Sequence, residues 1–156
     1  MPATASTNKI ARLPPLLLVL LLMIAMLVLD RALSLFRIHH PALVYLGASL
    51  MVLGVSIVLA SAGLFRLRKT TLNPFGEPAT VVQDGFYRFS RNPMYLGMLL
   101  VLAGIAIWLG NFLALFFAPV FAAIMSRYYI AREEQILDAR FGEAYRAYRQ
   151  RVRRWI

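Results

Sequence analysis

The chain has 156 residues, 60% of them hydrophobic, and a formal charge of +10. A soluble domain of average composition does not combine these values, which point to a membrane protein with strongly basic segments. It has no cysteine, which excludes a disulfide framework, a thiolate nucleophile and a thiolate metal site.

Met1 to Asn8 is small and polar without periodicity, which predicts a disordered start. Lys9 and Arg12 precede the first apolar stretch, Leu13 to Leu29. Asp30 and Arg31 stand where a cleavable leader needs small residues, so this stretch predicts a retained helix. Three further stretches with little or no charge follow: Pro41 to Phe65, Pro93 to Leu109, and Phe112 to Ser126, the last continuing through Tyr128 and Ile130. A bilayer core takes about 20 apolar helical residues, with about 17 as the lower end. The expectation is an all-α, polytopic bundle of four transmembrane helices in one domain over 1–156. Its parts are an N-terminus to residue 12, two helices over 13–65, a loop over 66–92, a helical hairpin over 93–130 and a C-terminal helix over 131–156.

His39 and His40 stand side by side before Pro41 with no carboxylate cluster nearby in sequence, which favours interfacial histidines over a metal site. In the second helix Gly47, Gly54 and Ser61 recur every seven residues, and in the third Gly97 and Gly104 do the same. Such stripes allow close helix approach in lipid.

The loop over 66–92 carries Arg66, Arg68, Lys69, Arg88 and Arg91 against Glu77 and Asp84, with turn chemistry at Asn73, Pro74, Phe75 and Gly76. It is too long for a plain connector. Thr80 to Gln83 reads as extended, with Val81 or Val82 packing against a ligand. The loop runs into DGFYRFSRNPMYLG, Asp84 to Gly97. Here Pro93 suits a first helical turn with Asn92 as its cap. Free amides at that helix start can hold a carboxylate, and Tyr87 and Tyr95 offer aromatic faces to an adenine or a cation. The alternative for this stretch is an interfacial loop with arginine and aromatic anchors. Gly110 and Asn111 then close a helical hairpin. All basic residues except Arg31 and Arg37 lie in the N-terminus, the long loop and the C-terminal tail. That bias predicts a multi-pass inner-membrane protein with those segments and both termini in the cytoplasm.

From Arg127 the sequence turns amphipathic, with Glu134, Leu137, Phe141, Tyr145, Tyr148 and Val152 along one helical face. The arginines on the other faces suit anionic lipid. No recognisable nucleic-acid module accompanies the charge, so no nucleic-acid partner is expected. The neighbouring carboxylates Glu133 and Glu134 at a membrane boundary are costly unless each meets a cation. The cation is either a ligand's or that of Arg127, Arg132 or Arg88.

GFYRFSRNPMYLG, followed about forty residues later by EEQILDARFGEAYRAYRQRV, resembles the isoprenylcysteine carboxyl methyltransferase and phospholipid methyltransferase family of integral membrane enzymes. The likeness runs from about Thr70 to Trp155; the first two helices match only in hydrophobicity. It implies S-adenosylmethionine as methyl donor and a lipid-like or isoprenoid acceptor methylated at oxygen or nitrogen. By the family's pattern the cofactor contacts fall to Val81, Val82, Tyr87, Asn92, Pro93, Met94, Tyr95 and Glu133. Glu134 and Arg91 are the catalytic candidates, Glu134 as base should the acceptor be an amine or hydroxyl; no metal is implied. Many relatives have His where this chain has Asn92. The prenylcysteine enzymes have an arginine for the substrate carboxylate where this chain has Tyr129, which makes a lipid or other small hydrophobic acceptor at least as good a candidate as a prenylated protein. The competing readings are an NADPH-dependent membrane reductase of the sterol type, with a similar tail pattern, and a small non-enzymatic scaffold or transporter subunit.

Overall fold

The computed structural model describes residues 13–33, 37–38, 40–68 and 81–156. Residues 1–8, expected to be disordered, Lys9, Arg12, His39, Lys69, the expected turn at Asn73 to Gly76 and Thr80 lie outside the described residues. The described chain is helical: α1 (Pro15–Ala32), α2 (Pro41–Leu67), α3 (Pro93–Leu109), α4 (Phe112–Phe141) and α5 (Glu143–Arg151). Each of the first three opens on a proline, whose missing N–H costs nothing in the first turn. His40 caps α2, its Nδ1 accepting from the amide of Ala42 at 3.2 Å.

Three helices, α1, α2 and α4, are long and apolar enough to cross a bilayer. The expectation of four crossings therefore meets a shorter third helix. At 17 residues, α3 reaches only about 26 Å at the helical rise of about 1.5 Å per residue, against a hydrocarbon core of about 30 Å. It stops at Gly110, whose φ is 65°. A Cβ there would fall 2.2 Å from the carbonyl oxygen of Ile38, so only glycine closes the turn.

The glycine stripes meet each other. A Cβ on Gly47 would lie 2.6 Å from the carbonyl oxygen of Gly104, and one on Gly54 would lie 2.5 Å from that of Gly97. The reciprocal positions are equally tight, at 2.7 Å for Gly104 and 2.6 Å for Gly97. The two backbones thus run antiparallel in direct contact, where dispersion replaces a hydrophobic drive that lipid does not supply. Away from this seam α2 exposes Val52, Leu59 and other apolar side chains, as a lipid-facing helix does. The core lies among α1, α3 and α4, around Met26, Leu102, Phe121, Met125 and Ile130, all fully buried.

A polar latch ties the end of the bundle where α3 turns into α4. Buried Asp30 at the end of α1 pairs with Arg37, whose Nε donates to Oδ1 at 2.7 Å. Asn111 donates to Asp30 at 3.2 Å and to the Leu33 carbonyl at 3.3 Å, while its own oxygen caps the next turn at Leu113. The amide of Ile38 donates to the carbonyl of Gly110 at 2.8 Å.

α4 is continuous but changes pitch. It begins as a tight 3-10 turn over Phe112–Phe116, relaxes into α-helix over Phe117–Ile124, widens further to a π-helix over Met125–Ile130 and returns to α-helix over Ala131–Phe141. The single C-terminal helix expected over 131–156 is instead two, because Gly142 (φ 50°, ψ −122°) breaks it. The expected face still packs: Tyr145, Tyr148 and Val152 are buried together, with Leu137 and Phe141 against them.

Gly54→Ala should lower thermal stability in detergent by about 1–3 kcal/mol, because the methyl group meets a backbone carbonyl rather than a side chain that can rotate away. Gly63→Ala on the same helix, where a Cβ meets nothing within 4 Å, should be neutral or gain up to about 1 kcal/mol. Unfolding curves for the two purified variants would separate seam packing from helix propensity.

Candidate functional site

A cavity of about 580 Å³ opens between the loop end, the start of α3, the second half of α4, and α5. Val81, Val82, Tyr87, Arg91, Asn92, Met94, Tyr95, Glu133 and Glu134 all line it. Of the cofactor and catalytic candidates named from the sequence, Pro93 alone does not, being fully buried as the first residue of α3.

Each wall has a local cause. Gly85–Arg88 forms a 3-10 turn that drives Tyr87 inward, where its ring packs on Phe65 of α2 at 5.4 Å between centroids. Its carbonyl accepts from the hydroxyl of Tyr148 at 2.7 Å. Burial pushes the Tyr87 hydroxyl well above the ordinary phenol range, with the charge of Glu133 and then Tyr148 adding to it. Burial does the same to Tyr148, with Tyr145 adding. Both phenols stay protonated at neutral pH, and that of Tyr148 serves as a donor.

Tyr95, in the first turn of α3, donates from its hydroxyl to Glu133 Oε1 across the cavity. Glu134, 9% exposed, is held from two sides. Arg91 approaches its Oε1 at 3.1 Å, and Arg154 forks onto both oxygens at 3.1 and 2.5 Å. Two guanidiniums around one buried carboxylate are the arrangement that desolvation demands. Arg91 also donates to the Tyr145 hydroxyl at 3.4 Å. The π-helical stretch helps set this geometry, because its wider turn shifts the register of every residue after it.

Asn92 holds the N-cap position of α3, but its side chain does not cap the helix. Its amide group instead donates to the carbonyl of Arg154 at 2.9 Å, while its backbone N–H donates to Ser90 Oγ at 3.1 Å. The first turn of α3 therefore has no side-chain cap. Tyr129 is 2% exposed and donates to the carbonyl of Leu13 at 2.8 Å, fastening the start of α1 rather than lining the cavity.

The opposite side of the cavity is apolar, formed by Pro14, Pro15 and Leu16 before and within α1, Val58 of α2, Met98 of α3 and Ile136 of α4. The sequence reading missed these residues, since nothing in a uniformly apolar helix marks which face borders a site. It also missed Arg154, reading the tail arginines as lipid contacts. The backbone at Val152 is extended, and the alternation of buried Val152, exposed Arg153 and inward-reaching Arg154 is the signal that was available.

Residues 42–144 match the phospholipid methyltransferase family. A 63-residue stretch, 40% of the chain, is 46% identical to an uncharacterized protein of Haemophilus influenzae over that protein's whole length. A 75-residue stretch, 46% of the chain, is 32% identical to a protein-S-isoprenylcysteine O-methyltransferase of Schizosaccharomyces pombe and covers 30% of that protein.

Tyr148→Phe removes the donor to the Tyr87 carbonyl and should cost about 1–2 kcal/mol, since it leaves a buried acceptor unsatisfied. Hydrogen exchange should rise at the amides of residues 85–91 and stay unchanged along the α2–α3 seam; uniform protection at both would contradict the assigned bond.

Proposed function

The chain belongs to the phospholipid methyltransferase family, and on that premise we propose that it transfers a methyl group from S-adenosylmethionine to a lipid-like or isoprenoid acceptor dissolved in the membrane. The observation that carries this reading is the convergence of the RNPMY segment and the Glu133–Glu134 pair on one cavity, polar on one side and apolar on the other. A water-soluble cationic donor suits the first side and a hydrophobic acceptor the second.

The residues fit such a donor. Tyr95 holds one oxygen of Glu133, and the reading gives the other to the donor's ammonium. The uncapped first turn of α3, opened by Pro93, offers the amides of Met94 and Tyr95 to the donor's carboxylate. Tyr87, with Val81 and Val82, provides an aromatic and apolar wall for the adenosyl part and the sulfonium. Asn92 shapes this corner through its bond to the tail.

When bound, S-adenosylmethionine supplies an electrophilic methyl carbon. The new bond from the acceptor's oxygen or nitrogen forms as the carbon–sulfur bond breaks, with the electron pair leaving on sulfur. The chain's task is to align these atoms and to exclude water. A carboxylate acceptor has no proton to lose. An amine or hydroxyl acceptor gives its proton to Glu134, with Arg91 as that carboxylate's partner in the wall.

In the same reading, 1–156 is one membrane domain and α3, seamed to α2, is a fourth crossing. Residues 66–92 and both termini then share the cytoplasmic side of the inner membrane.

Glu133→Gln should weaken S-adenosylmethionine binding about tenfold or more, the scale of one lost charge-assisted bond, while the detergent-solubilised protein stays folded. Titration calorimetry on the wild type and this variant checks it, with NADPH as competitor; unchanged affinity in the variant, or displacement of the donor by NADPH, would overturn the reading. Incubating membranes with donor labelled on the methyl group, then identifying the labelled product, names the acceptor and the methylated atom.

A further inference from the structure

The last five residues, Val152 to Ile156, line no part of the cavity, yet they hold together the two segments that do. The carbonyl of Arg153 accepts from the amide of Arg91 at 3.0 Å. The carbonyl of Arg154 accepts from the Asn92 side chain at 2.9 Å and from Ser90 Oγ at 3.4 Å. The Arg154 guanidinium forks onto Glu134 of α4, and the indole of Trp155 donates to Ser126 Oγ at 3.1 Å, about two turns further back.

Ser90 and Asn92 are 2% and 9% exposed. With the tail removed, their donors and the Arg91 amide lose these partners, and Glu134 keeps Arg91 alone of its two arginines. Buried polar groups in that state cost free energy until they move or find water. The tail is therefore a structural partner of the loop and of α4 at once, attached from behind the cavity.

We infer that the C-terminal tail is a clasp for the methyl-donor site and that Arg154 is its positioning residue. Arg154 acts through Glu134 and Asn92, fixing the distance between the start of α3 and the carboxylate pair on α4, and it touches no ligand itself. An arginine suits the task because its planar fork meets both carboxylate oxygens, whereas a lysine supplies the charge without the second bond. The inference rests on the donor-site reading of the cavity and assigns that site a part that the sequence motifs do not contain.

The test uses the full chain in detergent or nanodiscs. Arg154→Ala should raise the dissociation constant for S-adenosylmethionine roughly tenfold, since small misplacements across a site are costly, with the KM for donor rising more than kcat falls. Arg154→Lys should recover part of the loss. Combining Arg154→Ala with Glu134→Ala should be no worse than Glu134→Ala alone, because the two act as one unit. On the wild-type protein, saturating donor should slow tryptic cutting after Arg149, Arg151, Arg153 and Arg154, followed by mass spectrometry. Equal donor affinity in wild type and Arg154→Ala, additive losses in the double variant, or cutting rates indifferent to donor would each overturn the clasp. Glu133→Gln run alongside separates the two ideas: unchanged affinity there removes the donor site itself, whereas a loss there with none in Arg154→Ala removes only the clasp.

Discussion

Glu134 is a carboxylate with almost no access to water, and its neutralisation shapes the half of the molecule that contains the cavity. A charge in that position is tolerated only when cations and hydrogen bonds replace its hydration. Here the replacements come from two places far apart in the chain, Arg91 before α3 and Arg154 near the C-terminus. One desolvated group thus obliges the loop, α4 and the tail to converge. The cavity is the space they leave between them, and the neighbouring Glu133, tied to Tyr95, faces it beside the clamped pair.

The other end of the bundle follows the same rule with a different result. Asp30, Arg37 and Asn111 satisfy one another in a buried latch. That end joins α1, the connection before α2 and the α3–α4 turn. Between the two polar ends the described helices meet through apolar packing. The paired glycines of α2 and α3 bring backbone against backbone, which is the form of attraction that lipid does not already satisfy. The seam fixes α3 rigidly, so the helix start that borders the cavity has a stable base.

The chemical asymmetry of the cavity suits the work of a membrane methyltransferase family. Charged and aromatic groups gather where the loop and tail meet, and proline, valine, methionine and isoleucine line the side toward the helices. A soluble donor and a lipid-dissolved acceptor have no common solvent, and an enzyme that joins them needs both surfaces within one reaction distance. The change of pitch in α4 serves this geometry, because the π-helical turn rotates Glu133 and Glu134 relative to the membrane-facing residues before them.

The sequence by itself determined the helical class, the apolar stretches, the glycine seam and the corner where the two motifs would meet, because each is a local or periodic property of hydrophobicity and small side chains. Glu133 and Glu134 stood out as carboxylates where lipid makes charge expensive, and Arg91 and Tyr95 through the motif that contains them; the structure brings all four to one cavity. The tertiary structure decided which cation answers which carboxylate. Arg154, read from sequence as a lipid contact, clamps Glu134, while Asn92, at a helix start, binds the tail instead of capping α3. It also split the tail at Gly142 and gave Tyr129 to the start of α1. Those outcomes depend on distances between residues dozens of positions apart, and a charge's partner is fixed by where the backbone brings it once burial has removed water as the alternative.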